Sequence, residues 1–287
     1  MIKNATKVIA GLKQERLSSS IILCRPHNNH FQVLMIKRKS SMSFSNALVF
    51  PGGALEKYDT DPRWANIIET PSEEIQETAY SQKIDLKSLM IGAIRETWEE
   101  VGILLANKTI SRTQTGEEFL ESCLKEGSRP EIEKLHYFNR LITPLNMPNR
   151  FDTVFFLAVL EADREVQLDT NESDYYLWAE PKEFISKHIQ KEIILFPPQA
   201  CALSTLSKFQ NLSHVIDYTR RLRKIPTLVD LINNTYAYLM GDYRNQYTPD
   251  HFKQSKGIHC LELGKTEIRY QVSPDVESFL MFPSERL

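Results

Sequence analysis

The segment "AIRETWEEVG", from Ala93 to Gly102, constrains the fold most, because it continues a helical pattern and carries four charges. Gly102 is a natural helix stop, since glycine readily takes the backbone conformation that ends a helix. The sequence therefore predicts a helix from about Asp85 to Val101 that buries one face. That face is an apolar stripe at helical spacing: Leu86, Leu89, Met90, Ala93, Ile94 and Val101.

The charges of the predicted helix lie beside this stripe. Arg95 and Glu99 are four positions apart, and Glu96 precedes Glu100 by four positions, so the side chains share one helix surface. Crowded carboxylates repel one another unless a cation lies among them, and hard divalent ions such as Mg²⁺ bind carboxylate oxygens. For this string alone, a solvated face with ion pairs is the alternative.

A glycine turn upstream favours a functional site over a solvated face. The apolar runs Ser18 to Arg25 and Phe31 to Lys39 predict a hairpin. A short strand, Ala47 to Phe50, then leads into "PGG". Glycines after a strand allow the backbone to come close to another group.

The remaining pattern intermixes strands and helices, which indicates a mixed α/β or α+β domain. Capping signals in "TPSEEIQETAY" predict a helix that begins after Thr70. The chain from Pro197 to Met240 reads as largely helical. Further strands are expected in "NRLITPL", "FDTVFFLAVLE", "YYLWAE", "GIHCLEL" and "TEIRYQV", and a helix in "PKEFISKHI".

Composition excludes several classes of protein. With 35 basic and 37 acidic residues among 287, the net charge is -2, so no overall field attracts nucleic acid or an anionic membrane. The four cysteines form no CxxC pair, which predicts free thiols rather than a zinc or redox site. No apolar run reaches the roughly 20 residues of a membrane helix, so a soluble intracellular protein is expected.

The motifs resemble those of the Nudix hydrolases, whose signature is GX5EX7REUXEEXGU, with U a bulky aliphatic residue. "RETWEEVGI" matches its second half, with Thr97 in the first aliphatic position, and Gly53 matches the opening glycine. Arg95 follows Gly53 by 42 positions where the signature has 14, so 28 extra residues interrupt the box. Counted back from Arg95, the middle glutamate falls at Lys87, so that acid is expected to be absent.

Such an insertion resembles the animal Nudix branch that is similar to peroxisomal coenzyme A diphosphatases. "VFPGG", "AIRETWEEVGILL", "RFDTVFFL" and "LFPPQ" occur in the order seen in that branch. The resemblance implies a Nudix-fold α/β/α sandwich with a mixed sheet at 18–196, interrupted by the insertion at about 57–84. A C-terminal helical extension with two short strands, 197–287, would pack on this domain.

The resemblance also implies roles for individual residues. Mg²⁺ or Mn²⁺ would be held by carboxylates and by the backbone carbonyl of the glycine turn: Glu96, Glu99, Glu100, Glu172 and Gly52. Glu96 and Glu99 would act in catalysis, with Arg95 orienting a glutamate of the box. The general base would lie in the box or in a later loop, where Glu172 is the candidate and a solvated glutamate the alternative. Substrate contacts are expected at Gly53, Lys37, Arg38 and Arg150.

The implied reaction is metal-dependent hydrolysis of the diphosphate bond of coenzyme A or acyl-coenzyme A, giving 3′,5′-ADP and (acyl-)phosphopantetheine. The partner would be this small nucleotide diphosphate, without a membrane or a dedicated nucleic-acid surface. "KSSMSFSNALVFPGG" lacks the Arg-x-His-x-Gly pattern of dedicated coenzyme A diphosphatases. ADP-ribose, a dinucleotide or an RNA cap therefore stays open as the substrate, as does a binding protein without catalysis.

Two features outside the box give further expectations. The ending "SERL" is an imperfect peroxisomal signal, so a peroxisomal location is expected, with mitochondrial or cytosolic alternatives. The basic cluster "RRLRK", from Arg220 to Lys224, is expected to be a solvated helix face rather than a substrate site.

Overall fold

The protein is described by a computed structural model. Side chains are described for residues 15–39, 47–69, 85–143, 149–161 and 163–222, and further strands are described as backbone. The strands are β1 (Arg16–His27), β2 (His30–Arg38), β3 (Ala47–Val49), β4 (Gly52–Ala54), β5 (Glu74–Ile75), β6 (Ile84–Asp85), β7 (His136–Ile142), β8 (Phe151–Val159), β9 (Ser173–Ala179), β10 (Ile194–Leu195), β11 (Thr227–Ile232), β12 (Tyr236–Leu239), β13 (Cys260–Leu263) and β14 (Ile268–Gln271).

Five α-helices are described: α1 (Leu86–Val101), α2 (Gly116–Glu126), α3 (Pro181–Ile189), α4 (Pro197–Leu206) and α5 (Leu212–Arg221). Two short 3-10 helices, Pro62–Asn66 and Ile132–Lys134, lie in the connections. Helix α1 begins where the sequence predicts, because Asp85 caps it by accepting hydrogen bonds from the backbone N–H groups of Lys87 and Ser88. It ends at Gly102, whose φ of 69° is left-handed.

The main sheet is mixed, as predicted. Strand β1 is antiparallel to β2 and β4 but parallel to β8. The strand order is β10-β3-β2-β1-β8-β7-β11-β12-β13-β14, with β4 paired to β1 and β9 paired to β2. The pairing of β4 with β1 brings the glycine turn to the centre of the sheet.

A hydrophobic core lies on each face of this sheet. Ile21 and Leu23 of β1 point to one face and pack with Ile94 of α1. Ile22 of the same strand points to the other face and packs with Leu203 of α4 and with α5. The alternation along β1 follows from strand geometry, in which successive side chains point to opposite faces. Helices therefore cover both faces, which confirms the predicted α/β/α sandwich.

Two predicted helices are wrong where the structure can be compared. Glu74 and Ile75, inside the helix predicted after Thr70, form β5 and pair with β6. Cross-strand pairing overrides the capping signals here, because local propensity is weaker than tertiary context. Residues 70–73 and 76–83 of the same prediction lie outside the described residues.

The second wrong prediction concerns 227–232 and 236–239, which form the antiparallel pair β11 and β12 rather than a helix. Both segments contain β-branched or aromatic residues, which favour strands. Strand β11 also pairs in parallel with β7 and so continues the main sheet. The final strands β13 and β14 form as predicted.

Cys24, Cys123 and Cys201 are free thiols, as predicted, and the side chain of Cys260 lies outside the described residues. Within the described part of the chain, no helix is long and apolar enough to cross a membrane.

Candidate active site

The glycine turn and helix α1 meet at the site. Gly53 lies so close to Glu96 that a Cβ atom there would overlap the carboxylate. The backbone N–H of Gly52 donates to Glu100 Oε2 at 2.8 Å. A larger residue at position 53 would therefore displace the Glu96 carboxylate, and the turn directly contacts two carboxylates of the charged helix.

Arg95 is buried and donates hydrogen bonds to the carboxylates around it. Its guanidinium is 1% exposed. Nε and Nη2 donate to the two oxygens of Asp59 at 2.8 and 2.9 Å. Nη1 donates to Glu96 Oε1 at 2.9 Å and to Glu99 Oε2 at 2.8 Å. Burial alone lowers the pKa of an arginine, but the hydrogen bonds that Arg95 donates to Asp59 and the charges of Glu96 and Glu99 raise that of Arg95 on balance. Arg95 therefore stays charged and holds three carboxylates together.

The pKa values of the three glutamates of α1 are all raised, so their ionised forms are disfavoured. Burial raises the pKa of Glu99 to about 7, opposed by Arg95 and assisted by the charge of Glu96. Burial also raises the pKa of Glu96 and, more strongly, that of Glu100. One buried arginine does not compensate for this density of carboxylates, and a cation among them would stabilise their ionised forms.

Glu172 and Arg38 join the site from the sheet. After burial, the negative charge of Glu172 contributes to the raised pKa values of both Glu96 and Glu100. Arg38 opposes the rise at Glu100 through its positive charge. The backbone explains this placement, since Glu172 precedes β9 and accepts a hydrogen bond from the Lys39 N–H at the end of β2. Glu172 itself lies in the turn before β9 and is half-buried.

The other two basic residues predicted to contact substrate lie elsewhere. The Lys37 Nζ lies 5.5 Å from the ring centroid of Tyr175, and the strand register shifts between Lys37 and Arg38. Arg150 is buried at the start of β8 and pairs with Glu15 at 3.0 Å. The structure thus brings Arg38, but neither Lys37 nor Arg150, to the carboxylates.

Comparison with known proteins gives a consistent family. The NUDT19 Nudix domain family matches residues 76–206. An acyl-coenzyme A diphosphatase NUDT19 of Gallus gallus is 26% identical over 286 residues, covering 79% of this chain and 76% of the relative. A putative nudix hydrolase 7 of Caenorhabditis elegans is 28% identical and covers 68% of this chain and 62% of its own length.

The fold agrees. A crystal structure of a NUDIX hydrolase from Alicyclobacillus acidocaldarius aligns with a TM-score of 0.59 and 24% identity, covering 71% of this chain and 96% of that one. The chain is thus similar to a Nudix domain at residues 76–206, and relatives in chicken, frog and human are named acyl-coenzyme A diphosphatase NUDT19.

The structure points to Asp59 as the middle acid of the interrupted Nudix signature, a residue that the sequence prediction did not identify. Counted forward from Gly53, the signature places its middle acid six positions on, at Asp59, so the extra residues follow this position. Asp59 is 1% exposed and approaches α1 where Gly92 leaves room, since a Cβ there would lie 3.0 Å from Asp59 Oδ2. The forward count was the available signal.

Lys87, assigned to that acidic position by counting backwards, has a different role. Its Nζ donates to the Ile68 carbonyl at 2.9 Å, which ties the first turn of α1 to the inserted segment. The place counted back from Arg95 holds no acid, as expected. Asp59, at the place counted forward from Gly53, accepts a hydrogen bond from Arg95 Nε.

Nudix hydrolases generally use divalent metal ions, and the residues present fit such an ion. Glu99 Oε1 is buried and has no hydrogen-bond partner among the described residues. The donors are hard carboxylate oxygens of the kind that Mg²⁺ and Mn²⁺ bind. In this conformation Glu96 and Glu99 both turn toward Arg95, and within the described ranges no three acidic, histidine or cysteine side chains converge on one point.

Proposed function

We propose that this Nudix protein hydrolyses the diphosphate bond of coenzyme A or acyl-coenzyme A, giving 3′,5′-ADP and (acyl-)phosphopantetheine. The relatives named acyl-coenzyme A diphosphatase NUDT19, in chicken, frog and human, support this substrate. The observation that carries the chemistry is the set of α1 carboxylates gathered around the Gly52–Gly53 turn above a buried arginine.

The proposal assigns the metal to Mg²⁺ or Mn²⁺, with Glu96, Glu99 and Glu100 as ligands together with the Gly52 carbonyl. A bound divalent ion would neutralise the diphosphate and lower the pKa of a coordinated water. The orphaned oxygen of Glu99 and the raised carboxylate pKa values support this ligand set.

Protein groups then supply positioning. Arg95 Nη1 fixes Glu96 and Glu99 relative to each other, so their remaining oxygens present a pre-arranged anionic surface. Arg38 lies on the same side of the sheet as α1 and would meet a phosphate oxygen of the substrate. Glu172 is the proposed proton acceptor for the attacking water, because it lies beside Glu96 and Glu100 yet is only half-buried. Gly53 leaves the space that the Glu96 carboxylate occupies.

The test is chromatography of products after incubation of the purified protein with free coenzyme A, with Mg²⁺ or Mn²⁺ and again with EDTA. The expected result is 3′,5′-ADP that forms only with the metal and is lost in a Glu99→Gln variant. Turnover of ADP-ribose, a dinucleotide or a cap analogue in place of coenzyme A would keep the hydrolase and reject the substrate. No product from any of these compounds, with Mn²⁺ still bound, would favour a binding protein without catalysis.

For the compartment we propose the peroxisome, on the strength of "SERL" alone. These residues lie outside the described part of the chain. A fluorescent protein fused to the N-terminus of the full chain should overlap with a peroxisomal marker and become diffuse after deletion of residues 284–287. A mitochondrial or cytosolic signal from the intact fusion would reject this location.

A further inference from the structure

The last backbone carbonyls of α1 accept hydrogen bonds from residues outside the helix. The last four carbonyls of a helix have no partner within it, so other groups must satisfy them. Here the Gly102 N–H donates to Trp98 O at 3.1 Å, as in an ordinary helix ending. The next three carbonyls all receive donors from residues beyond the helix.

Two of these donors come from one loop, residues 163–172. The Gln167 N–H donates to Val101 O at 2.9 Å, and the Asp169 N–H donates to Glu100 O at 2.8 Å. The loop is therefore docked by its backbone onto the helix that carries the glutamates. Val166 and Leu168 of the loop also pack against the hydrophobic core, while most of its other side chains are exposed.

Arg112 supplies the remaining donor and bridges the two elements. Its Nη2 donates to Glu99 O at 2.6 Å and also to Gln167 O at 3.0 Å, so one nitrogen joins the helix to the loop. The guanidinium lies 5.3 Å from the ring centroid of Trp98, which restricts its orientation. Gly102 leaves the room for this, since a Cβ there would overlap Arg112 Nη1.

The docked loop leads directly to Glu172. Asp169 begins a tight turn, in which its carboxylate accepts from the Asn171 N–H at 2.8 Å and its carbonyl accepts from the Ser173 N–H at 3.1 Å. Glu172 lies inside this turn, and its own carbonyl accepts from the Lys39 N–H. The position of Asp169 on the helix therefore sets where Glu172 stands.

We infer that Arg112 is a positioning residue: by tying the 163–172 loop to the end of α1, it holds Glu172 in register with Glu96 and Glu100. This inference rests on the proposed function, in which Glu172 takes part in hydrolysis. It gives the Nudix site a second arginine clamp. Arg95 aligns the carboxylates within the helix, and Arg112 aligns the loop acid with them.

A double-mutant cycle tests this coupling in the full chain. Arg112→Ala should lower kcat about 10- to 100-fold with little change in KM, since a displacement of about 1 Å has effects of this size. In a Glu172→Gln background the same substitution should change kcat by no more than about twofold, because coupled residues are not additive. Equal effects of Arg112→Ala in both backgrounds, or wild-type kcat for Glu172→Gln, would overturn the inference.

Arg164→Ala is the matched control. Arg164 belongs to the same loop and its Nη1 donates to the Leu104 carbonyl at 2.9 Å, but it contacts neither α1 nor the Asp169 turn through that bond. It should leave kcat within about twofold of the wild type and act independently of Glu172. A control variant that lowers kcat as much as Arg112→Ala does would show a general effect of the loop and would also overturn the inference.

Amide hydrogen exchange separates the clamp from the reaction, because it requires no substrate. Arg112→Ala should accelerate exchange at Gln167 and Asp169 on the order of tenfold or more, while amides in the middle of α1 keep their protection. Unchanged exchange at both amides would reject the clamp even in an enzyme active on coenzyme A. Accelerated exchange in a protein that does not hydrolyse coenzyme A would confirm the clamp and reject only the substrate.

Discussion

Two buried arginines in this protein make the same bond to an aspartate but serve different purposes. Arg95 bonds to both oxygens of Asp59 at 2.8 and 2.9 Å. Arg140 bonds to both oxygens of Asp152 at 2.8 and 2.6 Å. The two guanidiniums are 1% and 0% exposed.

The difference lies in what surrounds each pair. Arg140 and Asp152 are both fully buried between β7 and β8, and the pair is electrically neutral. Arg95 also bonds to Glu96 and Glu99, whose side chains keep 17% and 14% of their exposure. Negative charge therefore exceeds positive charge around Arg95 and borders on solvent. The comparison teaches that a buried arginine marks a reactive site only when its partners leave charge unbalanced and accessible.

The strongest test of this contrast removes one negative charge from the unbalanced site. Glu99→Gln and Glu100→Gln should each lower kcat by about 100-fold or more through weaker metal binding, since a lost group that stabilises developing charge has effects of this size. The melting temperature should stay close to the wild-type value, because the fold does not need the extra charge. Steady-state kinetics and thermal melts measure both.

Glu161→Gln, which alters an exposed glutamate beyond β8, is the control and should behave as the wild type does. Wild-type turnover in either variant of α1 would remove the basis for assigning the site to these carboxylates.

The balanced pair should respond in stability instead. Arg140→Met leaves Asp152 charged and buried, so we expect the free energy of unfolding to fall by about 3–5 kcal/mol. The double variant Arg140→Met with Asp152→Leu should recover much of this loss, because no buried charge is left uncompensated. Urea unfolding measures both. A double variant as unstable as the single one would show that the pair contributes more than its own charge balance.

Substitution of Asp59 should affect both stability and kcat, because Asp59 joins the segment after the glycine turn to Arg95. Asp59→Asn weakens a charged hydrogen-bond pair with Arg95, and we expect a loss of about 1.5–3 kcal/mol in unfolding free energy. The fall in kcat should be smaller than for Glu99→Gln, because Asp59 reaches the metal ligands only through Arg95. Asp217→Asn, in an exposed pair with Arg220 at 3.1 Å, provides the comparison and should be nearly neutral in both measurements.

The smallest effect is expected at the basic cluster on α5. Arg220 is exposed and pairs with Asp217 one helical turn away, as a solvated face would. Arg220→Glu should leave kcat and KM for coenzyme A unchanged within experimental error. A clear rise in KM would mean that this helix contacts the substrate and that the positive charge of the site extends beyond Arg38.

Local signals were sufficient for the elements that carry the site. The apolar stripe and the Gly102 stop predicted α1 to within about a residue, and the structure adds Asp85 as the cap of its first turn. The hairpin of β1 and β2 was equally predictable from two apolar runs around a polar turn. A helix was predicted at 227–232 and 236–239 because the apolar residues there have helical spacing. These segments form strands β11 and β12, which pair with each other, and β11 also pairs with β7.

By itself, the sequence determined the charges on α1, the glycine turn and the mixed α/β class, because spacing and composition act over a few residues. Only the tertiary structure decided that Asp59 reaches Arg95 and that the charges of Glu172 and Arg38 act on the pKa of Glu100. It also decided that Arg112 joins the loop to the helix. These contacts depend on sheet register and on the unpaired carbonyls at the end of a helix, which no local pattern specifies.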